Sequence, residues 1–149
     1  MMNFFKAISK FNEMYRLPRP AKPTLQFQRL KDFQVGSASI LGQEMLEGAD
    51  VHDAHEFVDV DYSVADILTM QADWLGDMIV YCTSELERYG LNPETVLDII
   101  MQSNFSKLDA NGLPIYDERG KVMKGPGYWR PEPKLKAYIE KAMAQENIE

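Results

Sequence analysis

The segment Asp73–Cys82, with the sequence DWLGDMIVYC, constrains the fold of this 149-residue chain more than any other stretch. Its density of large apolar side chains indicates a helix that is buried on nearly every side. Asp73 nevertheless opens the run and Asp77 lies in its middle. Burying an unpaired carboxylate costs several kcal/mol, so the fold must supply something that offsets this charge.

Basic partners are missing from the neighbouring sequence. Between Asp32 and Glu87 there is no Lys or Arg, whereas thirteen Asp and Glu fall in that span. All sixteen Lys and Arg of the chain lie in the two flanks. An acidic run usually forms a solvated surface, and we expect this for most of these residues. It does not hold for acids that helical periodicity places on an apolar face.

The overall charge and composition exclude several classes of protein. The net charge of −7 argues against binding to polymeric nucleic acid, which needs a basic surface. No apolar run is long enough to span a bilayer, and the first residues lack the pattern of a secretory signal. The single cysteine, Cys82, excludes a disulfide framework. We therefore expect one domain over residues 1–149, in the cytoplasm and not on a membrane.

Hydrophobic periodicity predicts an all-α bundle of four to five helices with a small C-terminal β-hairpin. Ser63 and Asp66 form the pattern of a capping box, and Asn92-Pro93 is typical of a helix start. Gly48 is expected to end the second helix. The predicted helices span residues 3–16, 25–47, 63–89, 92–105 and 134–145, and the hairpin pairs 114–116 with 121–123.

Four carboxylates are predicted to meet between the second and third helices. Glu44 and Glu47 continue the apolar stripe of the second helix, one turn apart. Asp73 and Asp77 are four residues apart, so they project from one side of the third helix. If the two helices pack antiparallel, the four side chains converge and repel one another.

The residues alone leave two explanations for this cluster open. A hard divalent cation, Mg²⁺ or Mn²⁺, takes oxygen ligands from facing helices and would neutralise the charge. Alternatively, Arg or Lys side chains from the basic flanks could pair with the four acids.

The same residues resemble motifs of the all-α NTP pyrophosphohydrolase superfamily, which includes MazG, phosphoribosyl-ATP pyrophosphohydrolase and the dimeric dUTPases. Its members carry E-x-x-E on one helix and E-x-x-D on the next, and together these hold Mg²⁺. EMLE supplies Glu44 and Glu47, and DWLGD supplies Asp77. The family has a Glu three residues before the final Asp, but here that position is Trp74. The acid is instead Asp73, four residues before Asp77. The resemblance therefore implies Mg²⁺ or Mn²⁺ ligands at Glu44, Glu47, Asp73 and Asp77.

The tail SNFSKLDANGLPIYDERGKVMKGPGYW resembles a phage and bacterial MazG-like branch, and the likeness covers residues 4–133. Within this branch, DWLGDMIVYC is most similar to phage enzymes of the MazZ type, which act on purine deoxynucleotides. The resemblance implies hydrolysis of a (deoxy)nucleoside triphosphate, dGTP or dATP, to the monophosphate and pyrophosphate. Glu44 or Glu47 would orient or deprotonate the attacking water.

The resemblance also implies substrate contacts and a partner. Asn104 and Lys107 would bind the polyphosphate, with Lys124 as a second cationic candidate, and Asn12 would lie near the sugar or base. A homodimer or homotetramer is expected. Purely structural roles remain open for two of these residues. Asn104 could cap the end of a helix, and Lys107 could be an ordinary solvated lysine on the surface.

Two other functions remain open at this stage. One is a house-cleaning enzyme for pyrimidine or damaged deoxynucleotides. The other is a catalytically inactive nucleotide- or metal-binding module that only oligomerises, against which the intact carboxylate motifs count.

Overall fold

Six helices build the fold in the computed structural model, which describes residues 3–145. They are α1 (Phe4–Met14), α2 (Phe27–Gln34), α3 (Ile40–His55), α4 (Val64–Arg88), α5 (Pro93–Phe105) and α6 (Pro131–Ala144). The predicted all-α class is confirmed. None of the helices within residues 3–145 has both the length and the apolar character needed to cross a membrane.

Helix starts follow the local chemistry of the sequence. The Ser63 hydroxyl accepts from the Asp66 N–H while the Asp66 carboxylate accepts from the Ser63 N–H, which forms the predicted capping box of α4. The Asn92 side chain caps α5 ahead of Pro93. These boundaries are confirmed because each depends on side chains within one turn.

The prediction of one continuous helix over residues 25–47 is wrong. Helix α2 ends at Gln34, and Gly36 adopts a φ of +84°, which turns the chain away from the helical path. Ser39 then starts α3, its hydroxyl accepting from the Gly42 N–H at 3.0 Å. The apolar stripe of the sequence crosses this break, so periodicity alone did not reveal it.

Gly48 does not end a helix, as predicted, but lies inside α3, which continues to His55. A Cβ atom at position 48 would lie only 2.6 Å from Cζ2 of the Trp74 indole. The indole Nε1 donates a hydrogen bond of 2.7 Å to the backbone carbonyl of Glu44. Glycine is therefore needed here for the close approach of α4 to α3.

Helix α4 is the central element, packing against α1, α3 and α5, while α2 packs on α3 and α6 on α5. Helices α3 and α4 are antiparallel, since Ile40 lies near Tyr81 and Val51 near Met70. Few apolar side chains are buried within residues 3–145. They are Ile8, Phe33, Val51, Ala54, Ile67 and Val96.

The predicted β-hairpin is not formed as a pair of strands within the described residues. Isolated antiparallel bridges join Leu108 to Pro114 and Tyr116 to Val122. Asp109 and Asp117 each close a tight turn by accepting two backbone N–H groups on Oδ1. Because each turn satisfies its own backbone groups, the segment folds as two consecutive turns rather than a ladder.

Gly48 on α3 and Gly76 on α4 give a direct test of this packing. Gly76→Ala should stabilise the protein by ~1 kcal/mol, because nothing lies within 4 Å of a Cβ there and alanine favours helix. Gly48→Ala should instead destabilise it by about 1–3 kcal/mol, since the methyl group overpacks against Trp74. Chemical denaturation of both variants provides the measurement. Equal stabilisation by the two would contradict the proposed role of Gly48.

Candidate active site

Glu44 is a buried carboxylate without a partner. It lies on the side of α3 that faces α4, and only 5% of its surface is exposed. Its Oε2 atom is fully enclosed and makes no hydrogen bond with the described residues. A buried, unsatisfied acceptor costs roughly 1–3 kcal/mol, and more when it is charged, so its retention requires an explanation.

Two further carboxylates surround Glu44, one from each helix. Burial raises the pKa of Glu44 above its ordinary value, and the negative charges of Glu47 and Asp77 raise it further. Burial, Glu44, Asp77 and Glu47 likewise raise the pKa of Tyr81. The structure thus brings Glu44, Glu47 and Asp77 into one electrostatic cluster, as expected from their spacing.

Basic residues from the flanks do reach the acidic helix, but they bind other acids. Arg29 forms a two-pronged ion pair with Glu85, and Arg19 lies 3.5 Å from Glu87. None of the salt bridges within residues 3–145 involves Glu44, Glu47, Asp73 or Asp77. The alternative explanation, pairing with Arg or Lys, therefore applies to Glu85 and Glu87 and not to this cluster.

The donor chemistry of the cluster suits a hard divalent cation, because every donor is a carboxylate oxygen and Glu44 Oε2 is unpaired. The side chains are not gathered into a finished site: no group of three or more His, Cys, Asp or Glu among residues 3–145 is close enough to hold a metal ion. Glu47 and Asp77 are exposed and free to turn towards Glu44.

Asp73 stands apart from this cluster. It is exposed, and it lines a depression of about 230 Å³ with Glu47, Asp50 and Trp74. Its charge is not among those that raise the pKa of Glu44. The ligand role of Asp73 remains a prediction from the resemblance.

Asn12 lies inside the core and is fully buried. Its Nδ2 donates to Glu87 Oε2 at 2.8 Å, and its Oδ1 accepts from the Ser84 hydroxyl at 2.6 Å. Ser9 also donates to Glu87. Both ends of the amide are therefore engaged within the protein, and Asn12 anchors α1 to α4. The partners Ser84 and Glu87 are not among the residues predicted from the sequence, although their three-residue spacing places them on one side of α4.

The predicted phosphate-binding residues gather at one end of the molecule. Lys107 Nζ donates to Asn104 Oδ1 at 2.6 Å, just beyond the end of α5. Lys124 lies over the Tyr128 ring, 4.7 Å from its centre. No hydrogen bond or ion pair among the described residues links these side chains to the carboxylate cluster.

The loop that carries Lys124 is fastened to the same end of α5. Ser103 donates to the Trp129 carbonyl at 2.9 Å, and the Trp129 N–H donates to Ser106 at 3.2 Å. Lys134 Nζ covers the Trp129 ring at 3.6 Å. Trp129 therefore serves as a loop anchor, and Trp74 as a packing residue between α3 and α4.

Comparison with known proteins gives a likeness of fold. No protein-family profile matches the chain, and no curated protein matches significantly. Among solved structures, a "putative NTP pyrophosphohydrolase" from Exiguobacterium sp. 255-15 matches with a TM-score of 0.50 and 22% sequence identity. The match covers 96% of this chain and 98% of the other.

Neutralising Asp77 tests whether the cluster is a self-repelling cation site. Without metal, Asp77→Asn should melt at the same temperature as the wild type or higher, because one of the repelling charges is removed. Adding Mn²⁺ should stabilise the wild type by RT ln(1 + [L]/Kd), ~2.7 kcal/mol at a hundredfold excess over Kd, and should barely affect the variant. Asp61→Asn, on an exposed loop residue, is the matched control.

The stability of the same two proteins should also depend on pH. Because the folded protein raises the pKa of Glu44 above the ordinary 4.5, the folded state holds that proton more tightly than the unfolded state. Stability without metal should therefore fall as pH rises from about 4.5 through the raised pKa, and less steeply in Asp77→Asn. A metal-independent loss of stability in Asp77→Asn would show that Asp77 is a structural acid.

Proposed function

We propose that this protein is a metal-dependent nucleoside triphosphate pyrophosphohydrolase, which converts a (deoxy)nucleoside triphosphate to the monophosphate and pyrophosphate. The observation that carries this proposal is the buried Glu44 carboxylate beside Glu47 and Asp77 on facing helices, which no ion pair among residues 3–145 neutralises. The fold shared with the Exiguobacterium "putative NTP pyrophosphohydrolase" supports the same proposal.

Mg²⁺ or Mn²⁺ is the proposed cofactor, held by Glu44, Glu47 and Asp77, with Asp73 as a further candidate ligand. When bound, the ion supplies neutralising charge for the polyphosphate and lowers the pKa of water. Substrate phosphates would add oxygen ligands to such an ion, which suits a site where the protein provides only a few.

The protein side chains have different proposed roles towards the attacking water and the substrate phosphates. Glu47 is exposed and can hydrogen-bond to a water and accept its proton, which favours it over the buried Glu44 for this role and leaves Glu44 as a proposed metal ligand. Lys107, positioned by Asn104, and Lys124 are the proposed cations for the phosphates. Asn12 takes part indirectly by fixing the position of α1.

The resemblance of DWLGDMIVYC favours a purine deoxynucleotide, dGTP or dATP, as substrate. A house-cleaning enzyme for pyrimidine or damaged nucleotides is the alternative within the same chemistry. An inactive nucleotide-binding module is the alternative outside it, and the unpaired state of Glu44 counts against that interpretation, since an inactive module has no need to retain a destabilising charge.

The products of the reaction test the proposed function. Incubating a panel of dNTPs and NTPs with Mg²⁺ or Mn²⁺ should release pyrophosphate and a nucleoside monophosphate, separated by chromatography. Glu44→Gln, which retains shape but removes the charge, should abolish release, whereas the exposed Glu118→Gln should leave it unchanged. Orthophosphate and a diphosphate as first products would contradict the mechanism. Absence of hydrolysis across the panel would favour the inactive module.

We also propose that the chain assembles as a homodimer or homotetramer. It exposes 11111 Å² of surface, whereas a compact monomer of 17.1 kDa exposes roughly 7,800 Å². One face of α4 carries large exposed apolar side chains at helical spacing. They are Val64, Leu68, Leu75 and Ile79, which are 57, 63, 46 and 56% exposed. An apolar stripe of this kind on a central helix fits a contact with a second copy.

The oligomer can be tested by changing the α4 stripe. Sedimentation of the wild type should give a multiple of the 17.1 kDa chain mass. Leu68→Asp should shift the protein towards a single chain, because a charge in an apolar interface is not solvated. Leu113→Asp, on an equally exposed leucine of the turn segment, should leave the mass unchanged. A wild-type protein that sediments as one chain at all concentrations would refute this assembly.

A further inference from the structure

The indole of Trp74 contacts the residue that carries the buried carboxylate of the cluster. Its Nε1 donates to the backbone carbonyl of Glu44 at 2.7 Å. Inside α3 this carbonyl already belongs to the helical ladder, in which the carbonyl of residue i accepts from the N–H of residue i+4. Helix formation therefore does not require the indole as a second donor, and the bond adds a constraint between α4 and α3 at the level of Glu44.

The next turn of α3 fixes the same ring from a second point. A Cβ atom at position 48 would lie 2.6 Å from Cζ2 and 2.8 Å from Cε2 of the indole, so glycine is needed where the ring lies. The indole is thus held by Glu44 and Gly48, which are neighbours on one face of α3. A shift of α4 along α3 would break the hydrogen bond and move the ring away from its glycine.

The other two acids of the cluster lie close to the same ring. Asp77 follows Trp74 by about one turn of α4. Glu47 and Trp74 line one depression of about 230 Å³. The charges of Asp77 and Glu47 both raise the pKa of Glu44. Trp74 therefore lies among the three carboxylates and contacts the helix that carries two of them.

Trp74 has no atom that can bind the cation itself. The motif that DWLGD resembles has a Glu at this position, and a Glu could be a ligand. An indole offers only a donor N–H, so position 74 supplies no ligand in this chain. Residues that orient metal ligands without touching the metal typically lower metal affinity or activity 10- to 100-fold when they are changed.

We propose that Trp74 is a positioning residue of the metal site: its indole N–H holds Glu44 on α3 opposite Asp77 on α4, so that Glu44, Glu47 and Asp77 can close on one cation. This inference rests on the proposed function, from which it takes the cation. A purely structural Trp74 would change the free energy of unfolding when it is replaced and would leave the affinity for the cation as it is.

Removing the indole N–H tests this role. Trp74→Phe should raise the Kd for Mn²⁺ roughly 10- to 100-fold, as expected when a group that orients a metal ligand is lost. The Kd is obtained without nucleotide, from the rise of the melting temperature with Mn²⁺ concentration. Trp129→Phe, the same change in the loop before α6, should leave this Kd unchanged. An unchanged Kd in folded Trp74→Phe would overturn the proposal.

A second variant separates the hydrogen bond from packing. The phenyl ring of Trp74→Phe is smaller than the indole and leaves space beside Gly48 that a methyl group can fill. Trp74→Phe combined with Gly48→Ala should therefore recover part of the lost stability while the Kd for Mn²⁺ stays raised. Recovery of the wild-type Kd in this double variant would show that Trp74 acts through packing alone, which contradicts the proposal.

A shape-matched replacement guards against misfolding of the phenylalanine variants. Benzothienylalanine at position 74 retains the bicyclic ring and has sulfur in place of the N–H, so the packing on Gly48 is kept. It should melt close to the wild type without metal and still show the raised Kd for Mn²⁺. A wild-type Kd in this protein would overturn the proposal.

Metal binding without nucleotide also separates this inference from the proposed function, because it requires no turnover. A raised Kd for Mn²⁺ in Trp74→Phe would support the inference even if the wild type hydrolyses no triphosphate. Hydrolysis by the wild type, with kcat and the Kd for Mn²⁺ unchanged in folded Trp74→Phe, would uphold the function and overturn the inference. A wild type that binds no Mn²⁺ would overturn both.

Discussion

The contact between Trp74 and α3 determines where the other parts of the structure lie. The indole N–H bonds to the Glu44 carbonyl, and the indole ring lies against Gly48, so both the separation and the register of α3 on α4 are fixed. The carbonyl that accepts this bond and the carboxylate of the cluster both belong to Glu44. Asp77 follows Trp74 by about one turn of α4. The packing contact thereby sets the two carboxylates opposite each other.

The same register sorts the acids of the central segment into two groups. Towards the end of α4, Glu85 and Glu87 receive Arg29 and Arg19 and hold the helices together. Earlier in α4 and on α3, Asp77 and Glu44 form no ion pair with any basic side chain that the structure describes. Helix α4 therefore carries two kinds of acid about two turns apart. Glu85 is ion-paired within the fold, whereas Asp77 is left without such a pair. A cavity with the aromatic side chains Phe11, Tyr15, Phe33 and Tyr81 in its walls lies between these two groups.

Local chemistry decided which features could be predicted from the sequence. The capping box at Ser63 involves one turn of chain, and it was predicted correctly. The break before Ser39 and the role of Gly48 were not predicted, because a periodic pattern does not show whether a glycine stops a helix or admits a neighbouring side chain. The burial of Asn12 depends on residues more than seventy positions away, which no local pattern reveals.

The Asn12 anchor has a consequence for how such a protein can change over time. Its hydrogen bonds to Ser84 and Glu87 hold α1 in register from inside the core, whereas Phe11 and Tyr15, on either side of Asn12 in the sequence, line the cavity. The position of the helix and the shape of the cavity thus depend on different residues. Replacing Phe11 or Tyr15 would reshape the cavity without removing the hydrogen bonds that hold α1, so the cavity can change among descendants of this chain while its framework stays constant.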